Sequence, residues 1–185
     1  MLIQLITQHP EAIGTILRKT PPWVWGLLAG LVMLGSTQLR DRNASLLRVS
    51  IMPVAMTGFS LYGTLSAFGG SSLLPQLLAA WAAAAAMAYA PIAFLPVDAR
   101  YDAATRTYAL RGSVVPLLLI LAIFLVKYAA GVELAMAPRL VQDGPFVLTL
   151  AALYGSFSGI FIGRAARLWR LALRSPSPAP AAVAA

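Results

Sequence analysis

The chain has 185 residues, 59% of them hydrophobic and only 11% charged, with a formal net charge of +8. Soluble domains run nearer half apolar and a quarter charged, so a soluble globular domain is excluded, as is disorder over most of the length. There is no cysteine, which removes disulfides, thiolate metal sites and cysteine nucleophiles, and the single histidine, His9, cannot build a metal or haem site alone. What remains is a small polytopic membrane protein that needs no metal or other cofactor.

Residues 1–20 read as an interfacial lead-in. They lack the basic start and small-residue cleavage site of a signal peptide. Leu2, Leu5, Ile6, Ile13, Ile16 and Leu17 recur near helical spacing, which predicts an amphipathic helix lying in the interface, interrupted at Pro10. Thr20-Pro21-Pro22-Trp23-Val24-Trp25 then starts the membrane domain. Proline suits a first helical turn, and the two tryptophans suit the head-group belt.

About 20 apolar residues cross a bilayer. Five stretches qualify, at about 22–39, 46–68, 73–95, 114–136 and 145–162. They predict an all-α membrane protein, a compact bundle of five transmembrane helices filling residues 21–174. The short link Gly69-Gly70-Ser71-Ser72 makes spans two and three a tight helical hairpin. Between spans three and four, Tyr101 and Thr107-Tyr108-Ala109-Leu110-Arg111 alternate around Asp102-Ala103-Ala104-Thr105-Arg106. That pattern predicts a small cytoplasmic β-hairpin. The Pro- and Ala-rich residues 175–185 read as a disordered tail.

Basic residues orient the bundle. Arg40, Arg42 and Arg48, then Arg100, Arg106 and Arg111, then Arg164, Arg167, Arg170 and Arg174 share one side; only Arg18, Lys19 and Arg139 fall on the other. Ten against three places the C-terminus in the cytoplasm and the N-terminus outside. The surplus positive charge then faces anionic lipid rather than nucleic acid. The last four arginines, with Leu168, Trp169, Leu171 and Leu173, predict a basic amphipathic extension that holds lipid head groups.

Small residues mark close helix approaches in lipid. Gly155, Gly159 and Gly163 recur every fourth residue in span five, and Gly26 and Gly30 do so in span one. The triple glycine fits equally a seam within the bundle and a homodimer seam; as an assembly subunit the chain would dock a second copy or a membrane-protein partner there.

Chemistry is sparse. None of the six acidic residues falls in mid-span, which argues against paired-carboxylate catalysis, metal sites and acidic proton relays. Gly155-Ser156-Phe157-Ser158-Gly159 carries phenylalanine where a nucleophile elbow needs serine. No enzyme is expected. Lys127 stands out near the centre of span four, where a lysine costs about 2.5–3.5 kcal/mol and should face the bundle. Glu133 lies about 9 Å further along the axis and about 120° round, out of reach within the helix. Tyr154 and Ser60 fall at similar depth, and with Lys127 and Tyr62 they are the expected ligand-binding residues. Three readings stay open: a neutral amine bonded to tyrosine and serine, an anion or lipid-phosphate site, or a snorkelling side chain.

The motifs Thr20-Pro21-Pro22-Trp23-Val24-Trp25, Gln38-Leu39-Arg40-Asp41-Arg42, Ser60-Leu61-Tyr62-Gly63 and Arg111-Gly112-Ser113-Val114-Val115-Pro116 through Phe124-Leu125-Val126-Lys127-Tyr128 resemble an uncharacterised family of small proteobacterial inner-membrane proteins, a domain of unknown function. The resemblance implies a five-helix membrane protein and supplies no activity. Two functions are expected on these grounds. One is a non-enzymatic module that binds or conducts an anionic lipid or small anion at Lys127, as a transporter or channel would. The other is an assembly subunit joined through the Gly155/Gly159/Gly163 seam.

Overall fold

The computed structural model describes residues 10–103 and 105–174. The first nine residues of the lead-in and the tail 175–185 lie outside the described residues. In chain order come α1 (Pro10–Lys19), α2 (Pro22–Ser36), β1 (Arg42–Ser45), α3 (Leu46–Phe68), α4 (Leu74–Phe94), β2 (Ala99–Asp102), β3 (Thr107–Leu110), α5 (Val115–Met136), a 3₁₀ turn (Pro138–Gln142) and α6 (Gly144–Arg174).

Four of these helices, α3 to α6, are long and apolar enough to cross a membrane; α2 is a shorter apolar helix of 15 residues. At 1.5 Å per residue α2 spans about 22 Å, short of a hydrocarbon core of about 30 Å. The apolar run from 22 to 39 predicts a longer helix, but Ser36 and Thr37 end it. Their hydroxyls donate to Met33 O at 2.8 Å and Leu34 O at 2.7 Å, the local bonding by which such residues compete with helix continuation. Beyond them Gln38 O accepts from Ser113 N at 2.9 Å, tying the chain to the start of α5. Helix α6 errs the other way. Its 31 residues extend about 46 Å, so its arginine-rich end continues the helix past the apolar stretch.

Helix α6 is the centre of the molecule. Half of its apolar window is buried, against 24% in α3, 11% in α4 and 17% in α5. Its largest interface is with α4, followed by α3. The expected hairpin of spans two and three is therefore loose. Although a short link joins α3 and α4, each packs on α6 more than on the other. Helix α2 packs on α5, and α5 touches α6 only sparsely. The buried cluster of Phe68, Leu77, Ala130, Val147, Leu150, Ala151 and Tyr154 sits where α3, α4, α5 and α6 meet. Large apolar side chains such as Met33, Ile51, Val54, Phe59, Met87, Leu118 and Leu125 stand exposed around the outside. A monomer in water rarely shows apolar surface on this scale; acyl chains would cover it.

The expected hairpin is present as β2–β3, and a third strand joins it. The antiparallel sheet has the order β1–β3–β2, pairing Arg42 with Leu110 and Ala99 with the same Leu110. An isolated hairpin is marginal in water. Here it is docked: Tyr108, fully buried, donates its hydroxyl to Leu168 O of α6 at 3.0 Å. Gly112 follows β3 where the chain passes tightly over loop one, and a Cβ there would strike the Leu39 carbonyl. Its N–H donates to Asp41 Oδ1 at 2.7 Å. The three arginine-bearing segments thus gather at one end of the bundle. At the other end Ser71 Oγ donates to Val141 O at 2.9 Å.

Candidate functional site

The glycine seam of α6 lies against α4. A Cβ on Gly155 would meet the Trp81 carbonyl, one on Gly159 the Ala85 carbonyl, and one on Gly163 Ile92 Cβ at 3.0 Å and Tyr89 O at 3.1 Å. The contacts advance four residues at a time on both helices, so α4 and α6 run parallel and in register. The seam is thus filled by α4 of the same chain. On α2 the expected packing glycines are misplaced. Gly26 and Gly30 have nothing within 4 Å, whereas a Cβ on Gly35 would collide with Leu117 of α5. Val24, Leu27 and Leu31 turn toward the bundle, and Gly26 and Gly30 fall off that face.

Between the α2–α5 pair and the α3–α6 pair lies a cavity of about 870 Å³, open on one side and lined almost wholly by apolar side chains. Lys127, Tyr154, Ser60 and Tyr62 all line it. Lys127 reaches from α5 across the gap, its Nζ 4.5 Å from the centroid of the Tyr154 ring. An amine in this position meets the negative face of the aromatic quadrupole. On the far side Gly63 makes the room, since a Cβ there would stand 2.8 Å from Lys127 Nζ. Among the described residues no carboxylate lies within ion-pair distance of Lys127.

The other three have distinct parts. Ser60 Oγ accepts from Trp81 Nε1 at 3.1 Å and donates to Tyr154 O at 3.5 Å, so it pins α3 to α4 and α6 and has little left for a ligand. Tyr62 is 71% exposed and stands at the rim. Tyr154 is buried and forms the floor beneath the lysine. Sequence reasoning missed Lys19, Thr20 and Tyr128. Thr20 Oγ1 and Tyr128 OH lie 2.6 Å apart, joining the α1–α2 corner to α5, and Lys19 adds a second cation at the cavity wall. The pairing joins residues 108 apart in sequence, and no local pattern announces it.

The terminal arginines bind the protein itself more than expected. Arg167 donates to Pro96 O and Arg170 to Ala93 O, each at 3.0 Å, and the Arg170 guanidinium lies 4.5 Å from the Phe94 ring centroid. Arg170 thus caps a C-terminal carbonyl of α4, where a helix dipole favours cations, and Arg167 holds the segment just beyond it. Arg164 turns into a second cavity, and Arg174 is exposed.

The fold defines a class: a mainly helical protein with four helices able to cross a membrane and an apolar cavity holding one deep lysine. More particularly, the chain belongs to a family of unknown function, DUF6622, whose model matches residues 1–181. No curated protein and no solved structure matches the chain. No group of three or more metal-ligating side chains occurs among the described residues.

Proposed function

We propose that this is a non-enzymatic integral membrane protein of the bacterial inner membrane that binds an anionic amphiphile, its charged group at Lys127 and its apolar body along α2, α3 and α5. The observation that carries the reading is the lysine amine at a cavity wall with an aromatic face and a glycine beside it and, among the described residues, no carboxylate. An intramembrane cation is a functional site by default, and an anionic ligand would supply the missing counter-charge. The volume falls in the range of small-molecule sites, and an apolar wall with few polar groups is the usual composition. Such a wall favours a lipid-like ligand over a hydrated inorganic anion, which would lose its water without replacement. The arginine-rich end is assigned to the cytoplasm by the positive-inside bias, with the N-terminus outside if α2 also crosses.

Native mass spectrometry of the full chain from mild detergent tests this, with oleate as the probe and oleyl alcohol as its uncharged counterpart. Wild-type protein should retain oleate, Lys127→Met should retain about tenfold less, and both should hold the alcohol alike. Equal oleate retention by the two proteins would refute the reading.

A further inference from the structure

At the sheet end lies a second cavity of about 740 Å³, bounded by loop one, the segment before β2, and the ends of α3, α5 and α6. Its lining differs in kind from the first. Five arginines contribute: Arg42 of β1, Arg48 of α3, Arg111 after β3, and Arg164 and Arg167 of α6. Two carboxylates share the wall, and both are engaged. Asp41 Oδ1 accepts from Gly112 N at 2.7 Å. Asp98 Oδ2 stands 3.5 Å from Arg111 in an exposed pair.

Four guanidiniums are left without a carboxylate within ion-pair distance among the described residues. Two of them are partly spoken for. Arg42 donates to Gln38 Oε1 at 2.9 Å, and Arg167 donates one amino group to Pro96 O while its Nε is buried without a partner. Like charges gathered this way repel. Burial, and then the neighbouring Arg48, lower the Arg42 pKa from its ordinary value. Like charges crowded into a concave site, with unused donors, are relieved by a multiply charged anion. Planar guanidinium forks match phosphate oxygens two at a time, which a carboxylate-free set of lysines would not do.

We infer that this cleft binds a phosphate-bearing anion, gripped by Arg42, Arg48, Arg164 and Arg167 from three elements, β1, α3 and α6. A phospholipid head group entering from the leaflet surface and a free phosphorylated solute present the same group to it. The site is independent of the Lys127 cavity; Phe161 lines both and stands between them.

The test uses the full chain in phosphatidylcholine nanodiscs, titrated calorimetrically with inorganic pyrophosphate, and in parallel native mass spectrometry after exchange into nanodiscs containing phosphatidylglycerol. Arg48→Gln is the first variant, since the Arg48 side chain is exposed and can be removed without disturbing the core. Arg42→Gln with Arg164→Gln is the second. Each lost guanidinium should weaken the bound phosphate probe about tenfold. Arg139→Gln at the opposite end, an equal charge change, should leave it unchanged. Pyrophosphate binding that follows this pattern supports the site with a free solute as its source. Retention of phosphatidylglycerol alone with the same pattern supports it with a lipid head group as its source. Binding of neither probe, or losses as large in Arg139→Gln as in Arg48→Gln, would overturn it.

Discussion

Gly159→Ala adds one methyl group where α6 presses on α4. The new Cβ would lie closer to the Ala85 carbonyl oxygen than real Cβ atoms approach, with Ala85 Cα at 3.0 Å. The obstacle is helical backbone and cannot rotate away, so the helices must part by about 1 Å, a gap that forfeits a quarter to a half of the dispersion energy at each contact. Overpacking of this kind costs about 1–3 kcal/mol, and a rigid obstacle places it near the top of that range. Alanine's better helix propensity returns up to about 1 kcal/mol, leaving a net loss of about 2 kcal/mol. Gly30→Ala is the same chemical change at a position with nothing within 4 Å, so it should be neutral or stabilise by up to about 1 kcal/mol. Reversible unfolding in mixed micelles with increasing dodecyl sulfate, followed by circular dichroism, reads the difference between the two variants. Gly155→Ala should resemble Gly159→Ala. Gly163→Ala should cost less, because part of its obstacle is the Ile92 side chain. Equal midpoints for Gly159→Ala and Gly30→Ala would refute the close parallel packing of α4 and α6.

Tyr108→Phe removes the bond to Leu168 O and should cost about 0.5–1.5 kcal/mol, seen as faster proteolysis within the β2–β3 hairpin. Burial first, and then the neighbouring Tyr101, raise the Tyr108 pKa above its ordinary value. The folded state thus favours the neutral phenol, so stability from this group is intact below the unfolded pKa and is lost as pH rises through the folded one; tyrosinate absorbance should show this alkaline loosening in wild type and less of it in the variant. Gly63→Ala puts a methyl 2.8 Å from Lys127 Nζ. Because the amine is the far end of a flexible chain, the unfolding midpoint should hold while oleate retention falls several-fold, and unchanged retention would count against Gly63 as the residue that seats the lysine.

Helices that cross a membrane announce themselves through length and apolarity, and α3, α4 and α5 lie close to their sequence-derived bounds. Depth arithmetic along those helices also groups Lys127 with Tyr154 and Ser60, which line one cavity with Tyr62. What stays hidden depends on contacts made far along the chain. Strand β1 reads Arg-Asn-Ala-Ser, with no β-branched residue and no apolar alternation; it is a strand only because β3 offers an edge to pair with. The α2 run is apolar throughout, and its early end is set by two hydroxyls turning back on the helix. Glycine spacing identifies a seam but not the face it meets, so Gly26 and Gly30 mislead where Gly35 packs. The arginine cleft draws on residues from 42 to 167, whose meeting is a product of the sheet and not of any motif.

Helix α6 explains why there is a cavity at all. Along one face it carries Gly155, Gly159 and Gly163, which let α4 approach until backbone meets backbone. On the opposite face, close to half a turn away, it carries Tyr154, Phe157 and Phe161, which line the cavity. Small residues draw one neighbour in, and bulky ones hold the other off. Helix α5, held mainly by α2 and by the links at its two ends, therefore stands away from α6 with only sparse contact. A long side chain is needed to cross that gap, and Lys127 does so, reaching Tyr154 on α6 and the hollow at Gly63 on α3. The cation that is costly to place in the membrane is thus also the tether across the least packed part of the bundle. On the proposed reading, a ligand that satisfies its charge would occupy the same space and take over part of that bridging, which would couple binding to the spacing of α5 from α6 through one residue.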